Sequence, residues 1–126
     1  MKLLALAMLG GALGSGTRYL VNLGVARLLG TSFPWGIFLI NVTGSLLMGL
    51  LAGLLAQREF EVTSLRPFLA TGFLGGYTTF SAFSLDFANL VNEGETAAAA
   101  LYVAGSVGLS LAGVFLGLWL ARVIVT

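Results

Sequence analysis

The sequence predicts an all-α membrane protein of four transmembrane helices, and three observations carry that expectation. The 126 residues are 58% hydrophobic and 9% charged, with a mean hydropathy of +1.01, whereas a soluble domain gives about a quarter of its residues to charge. The charges are also segregated: Leu3–Thr17, Leu28–Gln57, Pro67–Leu85 and Thr96–Ala121 carry none. These runs are continuously apolar rather than alternating with period two, which argues against a β-barrel. The length suits a single domain, residues 1–126.

A spanning helix needs about 20 mostly apolar residues. The first helix is expected over 3–29, continuing through Arg18. Met1-Lys2 followed by Leu3–Leu9 also has the outline of a short signal peptide. The apolar character resumes at Tyr19–Leu29, however, so an internal helix is the better reading. Gly30-Thr31-Ser32-Phe33-Pro34 ends that helix and starts the second, over 34–56, with proline tolerated in a first turn. Arg58, Glu59 and Glu61 mark the next connection, and Ser64 can cap a third helix over 65–91 that has Pro67 near its start. Asn92-Glu93-Gly94-Glu95 is a tight polar turn into the fourth, over 96–123. Four spans put Lys2, Arg58, Arg66 and Arg122 on one side, against Arg27 and Arg18 on the other. That is a weak bias under the positive-inside rule, compatible with insertion in either direction.

Composition narrows function as well. A net charge of +1 suggests no nucleic-acid partner. Cysteine and histidine are absent, which removes disulfides, thiolate nucleophiles, zinc sites and most general acid–base chemistry. The expectation is a membrane protein that is not an enzyme.

Polar groups inside the spans need a reason, because lipid offers them no partner. Gly10, Gly11, Gly14 and Ser15 form two small stripes suited to close helix contact. Arg18 reads either as a snorkelling side chain or as a cation at a pore mouth. Asn41 and Ser45 share one face of the second helix with Gly49 and Gly53. The Asn41 amide is either interhelical glue or a donor to a permeant anion. The segment Gly72-Phe73-Leu74-Gly75-Gly76-Tyr77-Thr78-Thr79-Phe80-Ser81-Ala82-Phe83-Ser84 makes a poor mid-membrane helix. A break is expected at 75–79, freeing backbone carbonyls of the kind that coordinate ions in transporters. Phe80 and Phe83 then share a face as the helix resumes, and Asp86 is the only acid within a span. Tyr102, Ser106 and Ser110, spaced by four, line up three hydroxyls along the last helix, where Gly105, Gly113, Gly117 and Ala121 read as helix contact.

These groups are nearly all neutral donors. Together with aromatic ring edges, which carry the positive end of the ring quadrupole, they suit a small dehydrated anion, and a fixed cation held by freed carbonyls would help. Four such helices cannot both wall a pore and pack a core, so association is expected.

The three blocks Gly-Gly-Ala-Leu-Gly-Ser-Gly-Thr-Arg-Tyr at 10–19, Asn-Val-Thr-Gly-Ser at 41–45 and the 72–84 segment, in this order over essentially the whole chain, resemble the Fluc fluoride channels, also called CrcB proteins. The resemblance implies passive, selective fluoride export that lowers cytoplasmic fluoride, by an antiparallel dual-topology dimer with a broken third helix in the cell membrane; some relatives pair two different subunits, and the weak charge bias of this chain points to a homodimer. It also implies a structural sodium ion at the dimer centre, held by backbone carbonyls of Gly75 and Thr78 from both copies. Phe80, Phe83, Asn41, Tyr102, Ser106, Ser110 and Arg18 match the residues of the anion path. Many members carry Glu at the position of Asp86, and Tyr77 occupies an often apolar position. Two rival readings are a small four-helix multidrug exporter and a non-transporting assembly subunit. The first calls for a glutamate in the first helix, which is absent. The second calls for a partner protein and no flux in isolation.

Overall fold

A computed structural model describes residues 1–57 and 62–126; Arg58, Glu59 and Glu61 of the expected second connection lie outside the described residues. All regular structure among the described residues is helical. Helix α1 spans Lys2–Leu29 and α2 spans Trp35–Ala56. Three contiguous pieces form α3: Val62–Leu65, a π-helical Arg66–Leu74 and a short α-turn Gly75–Tyr77. Helix α4 is Phe80–Asn92 and α5 is Thr96–Val125. Of these, α1, α2 and α5 are long and apolar enough to cross a membrane.

The punctuation has local causes. Gly30 ends α1 at φ 80°, a conformation that favours glycine, and its amide donates to the Ala26 carbonyl. Gly94 at φ 79° closes α4. There the Gly94 amide donates to Val91 and the Glu95 amide to Leu90, the paired pattern of a left-handed helix end. Ser64 does not cap the third segment as expected, because helix already runs over Val62–Leu65 and encloses it. Pro67 is the second residue of the π-helical stretch; because helix already runs from Val62, it withholds an N–H from the preceding turn, which fits the widening of the helix there. Such widened helices recur near functional sites.

Two helix pairs make up the bundle. Helix α1 lies along α3, and α2 lies along α5, in two contacts of similar extent. Both contacts run backbone against backbone, which glycine alone permits. A methyl group on Gly14 would strike the Phe73 carbonyl and come within 2.9 Å of the Tyr77 amide, and one on Gly10 would strike the Phe68 carbonyl. On the other pair, Gly49 faces the Val114 carbonyl and Gly117 the Leu46 carbonyl. The small row along α5 is thus a helix contact at Gly113, Gly117 and Ala121, all buried, while Leu109 faces outward.

Little of this surface is hidden. The buried core is short, centred on Ile40, Leu74, Tyr77, Phe83, Leu90, Ala99 and Tyr102, and large apolar side chains lie exposed on every long helix, from Met8 and Leu20 to Leu101 and Phe115. A soluble chain does not expose so much apolar surface; this is a protein solvated by lipid. The glycine contacts yield a paired prediction. Gly14→Ala should lower the melting temperature of the detergent-purified protein by the equivalent of about 1–3 kcal/mol, the usual cost of overpacking. Gly24→Ala, where no atom among the described residues lies within 4 Å of the added methyl, should leave it unchanged or slightly raised.

Candidate functional site

The site begins where helix stops. Tyr77 is the last residue of α3 and Phe80 the first of α4; between them Thr78 (φ −79°, ψ 156°) and Thr79 (φ −153°, ψ 122°) are extended. The departure from helix is narrower than the expected 75–79, because Gly75–Tyr77 remains α-helical. Two consecutive β-branched residues suit the extended conformation, and the threonines also supply the bonds that helix no longer provides. The Thr78 hydroxyl donates to the Leu74 carbonyl at 2.9 Å. Thr79 is the N-cap of α4, its Oγ1 accepting the Ala82 amide at 3.2 Å.

Asn41, from the second turn of α2, holds this interruption open. Its Nδ2 donates to the Thr79 carbonyl at 3.0 Å, and its Oδ1 accepts the Thr79 amide at 2.8 Å. The carboxamide thereby pairs with one residue's backbone as a neighbouring strand would. One Nδ2 hydrogen remains free for another acceptor.

Two carbonyls lose their ordinary partners as a result. The Thr79 amide, which helix would direct to Gly75, goes to Asn41. The Ala82 amide, which helix would direct to Thr78, goes to the Thr79 hydroxyl. The Thr78 carbonyl instead accepts from Arg18 Nη1 at 3.3 Å. Tyr77 is tied down just before the break: its hydroxyl donates to Thr43 Oγ1 at 3.0 Å, and Thr43 donates to the Leu39 carbonyl at 2.7 Å.

A cavity of about 360 Å³ opens beside the break. Asn41, Phe80, Phe83, Ser106 and Ser110 all line it, with Ser45, Thr78 and Thr79. Five of the seven residues expected on the anion path therefore meet around one space. The rings of Phe80 and Phe83 sit 5.6 Å apart and tilted by 50°. Phe83 is buried, while Phe80, at the rim of the cavity, is 79% exposed. Opposite them, Ser106 is 4% exposed. Its Oγ is the one buried side-chain polar atom among the described residues without a hydrogen-bond partner.

The other two residues lie elsewhere. Tyr102 is fully buried one layer behind, its ring 5.1 Å from that of Phe83 and its hydroxyl donating to Asp86 Oδ2 at 3.0 Å. This bond accounts for Asp86, whose role the sequence left open. Arg18 lines a second cavity of about 520 Å³ with Ser15, Tyr19, Asn22, Thr79 and Ser81. Thr79, at the centre of the arrangement, was not singled out in the sequence. A threonine three residues ahead of the amide it caps, at the start of a new apolar stretch, is the signal that could have found it.

The chain resembles known proteins over nearly its whole length. The profile of a family described as "CrcB-like protein, Camphor Resistance (CrcB)" matches residues 5–118. A protein of Rhodopseudomonas palustris (strain BisB5) named "Fluoride-specific ion channel FluC" is 55% identical over 94% of this chain and 96% of its own. "Fluoride-specific ion channel FluC 2" of Nitrobacter hamburgensis is 56% identical over 93% of this chain and 94% of its own. A relative of the same name as the first, from Rhodospirillum centenum (strain ATCC 51521 / SW), is 51% identical over 97% of both chains. At this identity and coverage, the chain belongs to the CrcB-like protein family.

Proposed function

We propose that this protein is a fluoride-selective passive channel of the cell membrane. In this reading α3 and α4 cross the bilayer together as one broken third span, and two copies pack in antiparallel orientation. Relatives named as fluoride-specific channels at this identity support the activity. The observation that carries the mechanism is Ser106, a residue of the same cavity wall as two phenylalanines, whose hydroxyl is buried without a partner among the described residues. A buried unpaired hydroxyl costs about 1–3 kcal/mol, so a native protein that keeps one has a use for it. A dehydrated anion supplies the missing acceptor.

The chain replaces the anion's water with neutral groups. Ser106 and Ser110 donate O–H, Asn41 donates its remaining amide hydrogen, and the ring edges of Phe80 and Phe83 present positive quadrupole. Helix α4 begins at Phe80, a residue of this cavity's wall, so the positive end of its dipole lies near the anion path. Tyr102, anchored by Asp86, backs Phe83 and fixes its ring. The exposed ring of Phe80 is covered by the second copy, which completes the path. Arg18 raises the local anion concentration at the mouth of the second cavity.

The sodium ion implied by the family suits the oxygens available. The Gly75 and Thr78 carbonyls have both lost their helical amides, Gly75 is exposed, and neutral carbonyl oxygen is the donor that sodium prefers. Two such oxygens from each copy would hold it between them. When bound, it supplies fixed positive charge beside the anion path and ties the copies together.

Liposomes containing this protein alone should release fluoride and retain chloride, with no need for ATP or a proton gradient, as read by a fluoride electrode. Efflux that required a proton gradient would replace the channel with an antiporter. Phe80→Ile and Phe83→Ile should each abolish flux while leaving the dimer intact; unchanged flux in both would remove the ring-edge argument. Ser106→Ala should cut flux by about tenfold or more, since a hydrogen bond to a charged group is worth about 1.5–3 kcal/mol. Its melting temperature should hold or rise, because the hydroxyl it loses has no partner among the described residues. A fall in stability with flux unchanged would assign Ser106 to packing.

A further inference from the structure

The Thr78 carbonyl has two suitors of like charge. Within the chain it accepts from the Arg18 guanidinium, in the one side-chain hydrogen bond that Arg18 makes among the described residues. The function proposed above gives the same oxygen to a sodium ion. We infer that Arg18 and the ion are alternative partners of the Thr78 carbonyl, so that Arg18 sets the sodium concentration at which the ion site fills. This rests on the reading of Gly75 and Thr78 as sodium ligands.

The placement of Arg18 follows from the backbone-to-backbone contact between α1 and α3. Gly14, one turn before it on α1, lies against the backbone of Phe73 and Tyr77. That approach brings the next turn of α1 alongside Thr78 and within reach of its carbonyl. A lone copy in lipid has no water to offer this oxygen, and an unsatisfied backbone carbonyl in hydrocarbon is costly. The guanidinium meets that need until an ion and a second copy arrive.

Both cannot stay. One oxygen would hold two positive charges within a few ångströms, in surroundings of low dielectric where their repulsion is strong. Arg18 has a polar place to go, because the second cavity offers Tyr19, Asn22, Ser15 and Ser81 as acceptors on its walls. Its long flexible stem makes the swing a side-chain event. Sodium binding thus frees Arg18 to bond the other polar groups of the cavity it already lines, and the apparent sodium dissociation constant is raised by the reciprocal of the fraction of time the carbonyl is free of Arg18.

The test is a titration of sodium chloride against N-methylglucamine chloride at fixed ionic strength, on full-length protein in detergent, reading dimer fraction and melting temperature. The wild type should be stabilised by sodium, and Arg18→Gln should show the same gain with its midpoint moved to about tenfold lower sodium. Arg18→Lys, which keeps the charge, should stay within about threefold of wild type. Midpoints of wild type and Arg18→Gln within threefold of each other would overturn the competition and leave the sodium site standing. No response to sodium in either protein would overturn both. Should Arg18→Gln fail to fold, arginine-labelled wild type decides the matter by NMR. The Arg18 guanidinium resonances should shift on adding sodium and not on adding N-methylglucamine, and unchanged resonances would refute the exchange.

Discussion

The two hydrogen bonds between the Asn41 carboxamide and the backbone of Thr79 are what the rest of the site depends on. A helix interrupted within a lipid-solvated bundle strands amides and carbonyls that water cannot reach, at a cost of several kcal/mol for each group left unpaired. Asn41 removes two of those penalties at one residue. Thr79 removes another by capping Ala82, and the Thr78 hydroxyl returns to Leu74. Once the break is affordable, everything proposed for it becomes available: the start of α4, the released carbonyls, and the turn that sets Phe80 and Phe83 against the cavity.

The interruption also needs rigid walls, and glycine supplies them. Gly10 and Gly14 let α1 touch the backbone of α3, and Gly49 and Gly117 let α2 and α5 do the same. Contacts between backbones leave no side-chain rotamers to relax, so Asn41 on α2 and Ser106 on α5 are held in fixed register across the cavity. Position matters here because the donors are neutral. A charged side chain attracts an anion from a distance, whereas an O–H or N–H must be placed within hydrogen-bond reach to act.

Much of this was legible in the sequence, and the part that was not has a physical reason. Charge-free runs located α1, α2 and α5, since a span is defined by what it excludes. The glycines and hydroxyls of 72–84 located the interruption, but their composition could not say which residues leave the helix. Gly75–Tyr77 stays helical because α1 packs against it, a tertiary effect outside any local propensity. Spacing by four correctly placed Ser106 and Ser110 on one face of α5. It could not show that Tyr102, on the same line, turns its hydroxyl to Asp86, because that bond depends on how α4 lies across α5. Likewise the pairing of Arg18 with Thr78 joins positions 60 residues apart, which no periodicity within a single helix encodes.

A break in a helix releases acceptors and donors in equal measure, and the fold sorts them. Thr79 stands in the wall of both cavities. The cavity with Phe80, Phe83, Ser106 and Ser110 gathers groups whose hydrogens or ring edges are positive, and it carries no charged side chain. The oxygen of Thr78 points instead to Arg18, the cation lining the other cavity. In the proposed channel, the bond from Arg18 engages the Thr78 carbonyl, so an anion in the first cavity would meet less repulsion from that oxygen and would lie near a positive charge. Were acceptors and donors of the break mixed in a single space, they would satisfy one another, and the space would have no affinity left for an ion.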